Sequence, residues 1–210
     1  MEDVLEVYSR PYNKEYPVIC MDESSKQLVG EVRKSILGRD RVERYDSEYE
    51  RNGSCNIFIT CEPLNGKRYT SVTARRTKLD WAYEVKRLVD DYYPDAKKII
   101  LVLDNLNIHR GASLYEAFPA EEARRILEKL EMHSTPKHGS WLNMAEIEFS
   151  HLGRQCLNRR IADQETLAKE VTAWTLRRNN IDSTINWRFT TKDARIKLRK
   201  LYPEIVTCQN

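Results

Sequence analysis

Glycine and proline are both sparse in this 210-residue chain, at seven each, which excludes collagen-like and low-complexity classes. No apolar run approaches the roughly 18–20 residues of a membrane span. The opening residues, MEDVLEVYSRPYNKEYP, hold no apolar segment of the kind that leads a secreted chain. Cysteine pairs are missing as well. Cys20, Cys55, Cys61, Cys156 and Cys208 are odd in number, scattered, and form no Cys-x-x-Cys. Packed, reduced thiols in a cytoplasmic protein are the expectation, without a structural zinc site.

What the chain has is charge, 32% of its residues, unevenly spread. The net value is only +3, yet residues 151–200 carry 12 Lys/Arg against 5 Asp/Glu, and the rest is net acidic. A basic C-terminal quarter beside an acid-leaning body suggests a phosphate-binding surface next to a place for cations. Length argues for one domain with a full core.

Hydrophobic patterning predicts mixed secondary structure. Tyr16–Asp22 and Cys55–Cys61 read as buried strands, and Asn65-Gly66 as a hairpin turn leading into a returning strand at Lys67–Thr73. Between the first two lies a polar stretch, with a weak strand expected at Gln27–Arg33. Thr77–Tyr93 reads as a helix opened by Thr77 and Asp80 at capping-box spacing. Lys98–Leu103 is an unbroken apolar run, as expected of a central parallel strand covered on both faces. Helical pieces at Ala112–Ala117 and Ala120–Leu130 precede a short strand, Glu131–Ser134. Further helices are expected at Asn143–Leu157, Gln164–Arg178 and Thr190–Leu201. The order requires crossovers and gives an α/β mixed sheet with helices on both faces.

In such sheets, ligand sites form at the carboxyl ends of strands. Asp22 and Asp104 stand at two of those ends. Asn143 and Glu146 are three residues apart and share a face of the following helix, whereas Glu148 points elsewhere. Converging carboxylates repel, at about 4 kcal/mol for charges ~4 Å apart at an effective dielectric of ~20. Cations relieve that repulsion, and oxygen ligands suit Mg²⁺ or Mn²⁺. Two such ions support in-line phosphoryl displacement. His109 has a place near the acids or on the surface. Lys137, His138 and Ser140 precede the Glu146 helix, suitably for contact with a DNA backbone. Trp141 reads either as a stacking surface for a flipped base or, preferably, as a buried aromatic.

These pieces together resemble a known family. VICMDE (18–23), LVLDNLNIH (101–109) and STPKHGSWLNMAEIEFSHL (134–152) are similar to motifs of the insertion sequence 630 transposases of bacteria, which group with the Tc/mariner elements. EYERNGSCNIF (48–58), EAFPAEEARR (116–125) and WRFTTKDARIKLRKLYP (187–203) add to the likeness, which spans nearly the whole chain. The resemblance implies a ribonuclease H-like fold with an Asp-Asp-Glu triad, here Asp22, Asp104 and Glu146. Asn105, His109 and Asn143 would support it, and Mg²⁺ or Mn²⁺, as two ions, would serve it. Arg154, Arg159 and Arg160 join Lys137, His138 and Ser140 as expected DNA contacts.

The implied chemistry is hydrolysis at transposon ends followed by attack of a 3′-hydroxyl on target DNA, with insertion at a TA dinucleotide. The implied partners are double-stranded DNA and a second or further copy of the chain. Residues 1–15 are expected to be a linker segment, 16–160 the catalytic core, and 161–210 a C-terminal helical extension. Nothing before Tyr16 reads as the helix-turn-helix such transposases carry. The expectation is therefore a separately supplied reader product or, alternatively, a truncated, non-catalytic DNA-binding or dimerising regulator. Where many members have Lys-Pro after the Asp-Glu pair, this chain has Ser24-Ser25.

Overall fold

The structure, a computed structural model, describes residues 1–33, 35–44, 46–106 and 110–202. Its frame is a five-stranded sheet built from β1 (Val18–Glu31), β4 (Tyr49–Glu62), β5 (Lys67–Thr73), β6 (Ile99–Leu103) and β7 (Leu130–Ser134). In space they run β5-β4-β1-β6-β7. β1, β4 and β5 form an antiparallel meander, while β6 pairs parallel with both β1 and β7. The mixed sheet and the unbroken burial of β6 agree with the sequence, since all five of its residues are buried. The turn between β4 and β5 places Gly66 at φ +68°, with the Asp182 backbone 3.1 Å from where a Cβ would sit. Only glycine takes both conditions without strain.

Alternation along the strands sorts the core into two layers. One face gives Ile19, Met21, Phe58, Leu101 and Leu103 to α2 (Lys78–Arg87), α3 (Gly111–Ala117) and α4 (Ala120–Glu128). The other gives Val18, Cys20, Val102, Ile57 and Ile59 to α1 (Glu2–Tyr8), α5 (Ala145–Leu152), α6 (Gln164–Asn180) and α7 (Thr191–Lys197). The expected capping box at Thr77 and Asp80 is formed, and Thr190 with Asp193 makes a second. Cys20, Cys55, Cys61 and Cys156 are buried free thiols, as expected; Cys208 lies outside the described residues. Among the described residues no helix is long and apolar enough to cross a membrane.

Two segments differ from the sequence reading. Residues 1–15, expected as a linker, open with α1, whose Val4, Leu5 and Val7 are buried in the second layer. The Tyr8 hydroxyl donates to the Leu142 carbonyl at 2.7 Å. Residues 23–54, expected to be mostly loop, continue β1 and β4 as a two-stranded arm beyond the sheet, in register from Lys26↔Cys55 to Glu31↔Tyr49 across a bulge near Gln27. The arm is polar because residues 49–54 face solvent, so it lacks the apolar run that marks a covered strand. Short strands β2 (Ile36–Leu37) and β3 (Glu43–Arg44) pair beyond it. Midway along, the arm is held by Val29, whose N–H donates to the Ile161 carbonyl, and by Asn52, whose amide donates to the Ala162 carbonyl.

Candidate active site

The parallel register decides which acids meet. β1 and β6 align as Val18↔Ile100, Ile19↔Leu101 and Cys20↔Val102, a constant offset of 82. The same offset carries Asp22 to Asp104, one residue past the end of β6. Cys20 and Val102 both point into the second layer, so Asp22 and Asp104, two residues on, fall on that face as well. This is the face that α5 covers.

Glu146 arrives through Asn143. That side chain is fully buried. Its amide donates to the Met21 carbonyl at 2.8 Å, beside Asp22, and its Oδ1 accepts from the Ala145 N–H at 3.2 Å. One residue thus ties the first turn of α5 to β1. Glu146 lies in that turn, exposed.

The charges of Asp104 and Glu146 both reach the Asp22 carboxyl. Burial pushes the Asp22 carboxyl up to about 7. The Glu23 N–H, donating to Asp22 Oδ1 at 2.8 Å, works against the rise, while the charges of Asp104, Glu146 and Glu23 add to it. A carboxylate held in this way gains from a cation. All three donors are oxygen atoms, as Mg²⁺ or Mn²⁺ would require. Among the described residues, no group of three His, Cys, Asp or Glu side chains is drawn close enough to enclose an ion. The acids share one edge of the sheet without forming a closed ligand set.

The expected Glu146 and the neighbouring Glu148 separate cleanly. Glu148 is completely buried and accepts from Arg68 Nη2 at 2.7 Å and from Arg178 Nε at 3.2 Å. Burial alone would raise its carboxyl, but these two guanidinium groups outweigh it and hold the group below the usual range. Arg68, 1% exposed, also donates to the Gly66 and Ser183 carbonyls. Glu148 is therefore a brace between α5, β5 and α6. Sequence gave no signal for Arg68, which sits on a strand of mixed polarity.

The segment after β7 frames the acids from above. The Thr135 N–H donates to the Leu103 carbonyl at 2.9 Å, next to Asp104, and eight residues later Asn143 is bonded next to Asp22. Lys137, His138 and Ser140 are exposed on this arch. His138 takes φ +63°, and a Cβ at Gly139 would stand 2.6 Å from Pro136. Asn105 is exposed beside Asp104; His109 lies outside the described residues.

The expected basic contacts divide. Arg154 is exposed. Arg159 pairs with Glu170 at 2.6 Å, and Arg160 donates to the Asp46 and Glu48 carbonyls just before β4, at the outer end of the arm. Trp141, preferred as a buried aromatic, is instead 45% exposed.

The fold and this acid set place the chain in a class. The DDE superfamily endonuclease family matches residues 17–168, and the chain belongs to it. Among solved structures, the Mos1 transposase paired-end complex with left transposon end aligns at a TM-score of 0.56 and 14% identity, over 87% of this chain and 56% of that one. The Mos1 mariner paired-end complex with Mn aligns at 0.57 and 16%, over 86% and 54%. The corresponding complex with Mg aligns at 0.52 and 14%, over 89% and 62%. At such identities the likeness is one of fold, the ribonuclease H-like catalytic fold. The chain spans little more than half the length of those transposases. No curated protein matches it.

Proposed function

We propose that the chain is the catalytic domain of a Tc/mariner-type transposase, most closely of the insertion sequence 630 family, which cuts DNA at transposon ends and joins them to target DNA. The observation that carries this reading is the register offset that sets Asp22 beside Asp104 on one face, with Asn143 fastening Glu146 over the same edge. Asp22, Asp104 and Glu146 would hold divalent ions, whose chemistry is to activate an attacking oxygen and stabilise the leaving oxygen of a phosphodiester. The buried Asp22 would supply the most desolvated of the three oxygen ligands. Asn143 fixes the approach of the Glu146 helix. Lys137, Ser140 and Arg154 meet backbone phosphates, which position DNA without reading its sequence. Arg159 and Arg160 serve the protein's own structure first. Reading of end sequences, and assembly with further copies, belong to the complete transposition complex.

Nicking of supercoiled plasmid in Mn²⁺ or Mg²⁺ tests the proposal. The wild type should nick only with metal, while Asp104→Asn and Glu146→Gln should lose nicking with unchanged melting temperatures. Full nicking by Glu146→Gln, or nicking in EDTA, would sink it.

A further inference from the structure

Trp141 is the large aromatic of the arch that runs from β7 to α5. The arch is pinned at both ends, by Thr135 beside Asp104 and by Asn143 beside Asp22, and Trp141 stands on it two residues before Asn143. A tryptophan there gains nothing by facing water, since burying it would remove a large apolar area from solvent. Nonetheless 45% of it remains open.

Its other side is supported. The Phe189 ring meets it edge-on, with centroids 5.7 Å apart and planes at 72°. Lys197 lies over the Phe189 ring at 5.8 Å, and exposed Lys137 and Arg188 belong to the same two segments. The arrangement is a half-open aromatic face backed by a second ring, with Lys197 against that ring and Lys137 and Arg188 exposed on the same two segments. That is the composition of a surface on which an unstacked base rests while its phosphates meet positive charge. A fully paired duplex keeps its bases stacked on one another and offers no free face to such a plane.

We infer that Trp141, braced by Phe189, is a stacking platform for an unpaired base next to the scissile phosphate, so that this site selects DNA that is single-stranded or locally opened. The inference rests on the reading of DNA as substrate.

Fluorescence anisotropy with a labelled single strand and with its duplex, in EDTA, tests it apart from cleavage. Loss of one stacked base predicts that Trp141→Ala weakens single-strand binding roughly 5- to 150-fold and duplex binding much less. Trp141→Phe should recover most of the loss, and the melting temperature of both variants should match the wild type. Equal loss on both DNAs, or none on the single strand, overturns the platform. If metal-dependent nicking survives in that case, the catalytic reading stands without it. Failure of the wild type to bind either DNA would overturn both.

Discussion

Removing the Glu148 carboxylate should cost stability far out of proportion to one side chain. Glu148 has no exposed surface, and its partners Arg68 and Arg178 have side-chain exposures of 1% and 13%. In Glu148→Ala the Arg68 guanidinium stays in the interior without its acid. Arg68 Nε already lacks a hydrogen-bond partner, so the remaining acceptors, the Gly66 and Ser183 carbonyls, have no reserve behind them. Breaking a buried pair by removing one partner costs about 3–5 kcal/mol. For a domain of this size each kcal/mol shifts Tm by roughly 2–4 °C, so a fall on the order of 10–15 °C is expected. Glu146→Ala, two residues earlier on an exposed position, should stay within about 0.5 kcal/mol. Urea unfolding of both proteins at pH 7, with matched m-values, is the assay. Because Glu148 is held below the usual carboxylate range, its contribution is present above the unfolded pKa. The gap between wild type and Glu148→Ala should therefore narrow as pH falls below about 4. Replacing both partners, Arg68→Met with Glu148→Leu, should restore much of the loss. A Glu148→Ala protein as stable as Glu146→Ala would refute the brace.

Asp22 should give a pH signature of opposite sign. In EDTA its folded pKa of about 7 lies above the unfolded value of roughly 3.9, so the folded state keeps a proton the unfolded chain has released. Stability from this group should fall between about pH 4 and 7, by up to ~1.4 kcal/mol per unit, and Asp22→Asn should abolish that slope in thermal melts. Asn143→Ala removes a fully buried donor to Met21, and should cost about 1–3 kcal/mol by urea unfolding while slowing metal-dependent nicking; unchanged nicking would separate Asn143 from the placing of Glu146. Arg154→Ala should weaken duplex binding and flatten its salt dependence, whereas Arg159→Ala should act less, its charge being engaged by Glu170; the reverse order in a salt titration would overturn this division.

The parts legible in sequence were those with a period or a terminus. The apolar runs marked the covered strands, Lys67–Thr73 matched β5 residue for residue, and both Thr-x-x-Asp caps stood where helices begin. Asp104 and Glu146 stood out because a strand end and an i,i+3 pair are local features, whereas Asp22, expected to close a strand, lies within β1, which runs on to Glu31. The arm was not, since a ribbon in solvent has no apolar face to declare itself. α1 was overlooked among its acids, although Val4, Leu5 and Val7 carried the signal. Glu148 was read as pointing elsewhere, but its destination required knowing that β5 brings Arg68 beneath α5. The exposure of Trp141 depends on where a loop is pinned, which no spacing reveals.

The offset of 82 between the paired strands bears on how the protein comes into being. Pairing β1 with β6 closes a long stretch of chain, a non-local contact of the kind that forms slowly. A chain emerging from the ribosome presents Asp22 first, must then wait for Asp104 to dock beside it, and receives Glu146 only with α5. The brace on α5 needs Arg178 as well. An amino-terminal fragment that stops before Arg178 therefore lacks one of the two guanidinium groups that hold Glu148.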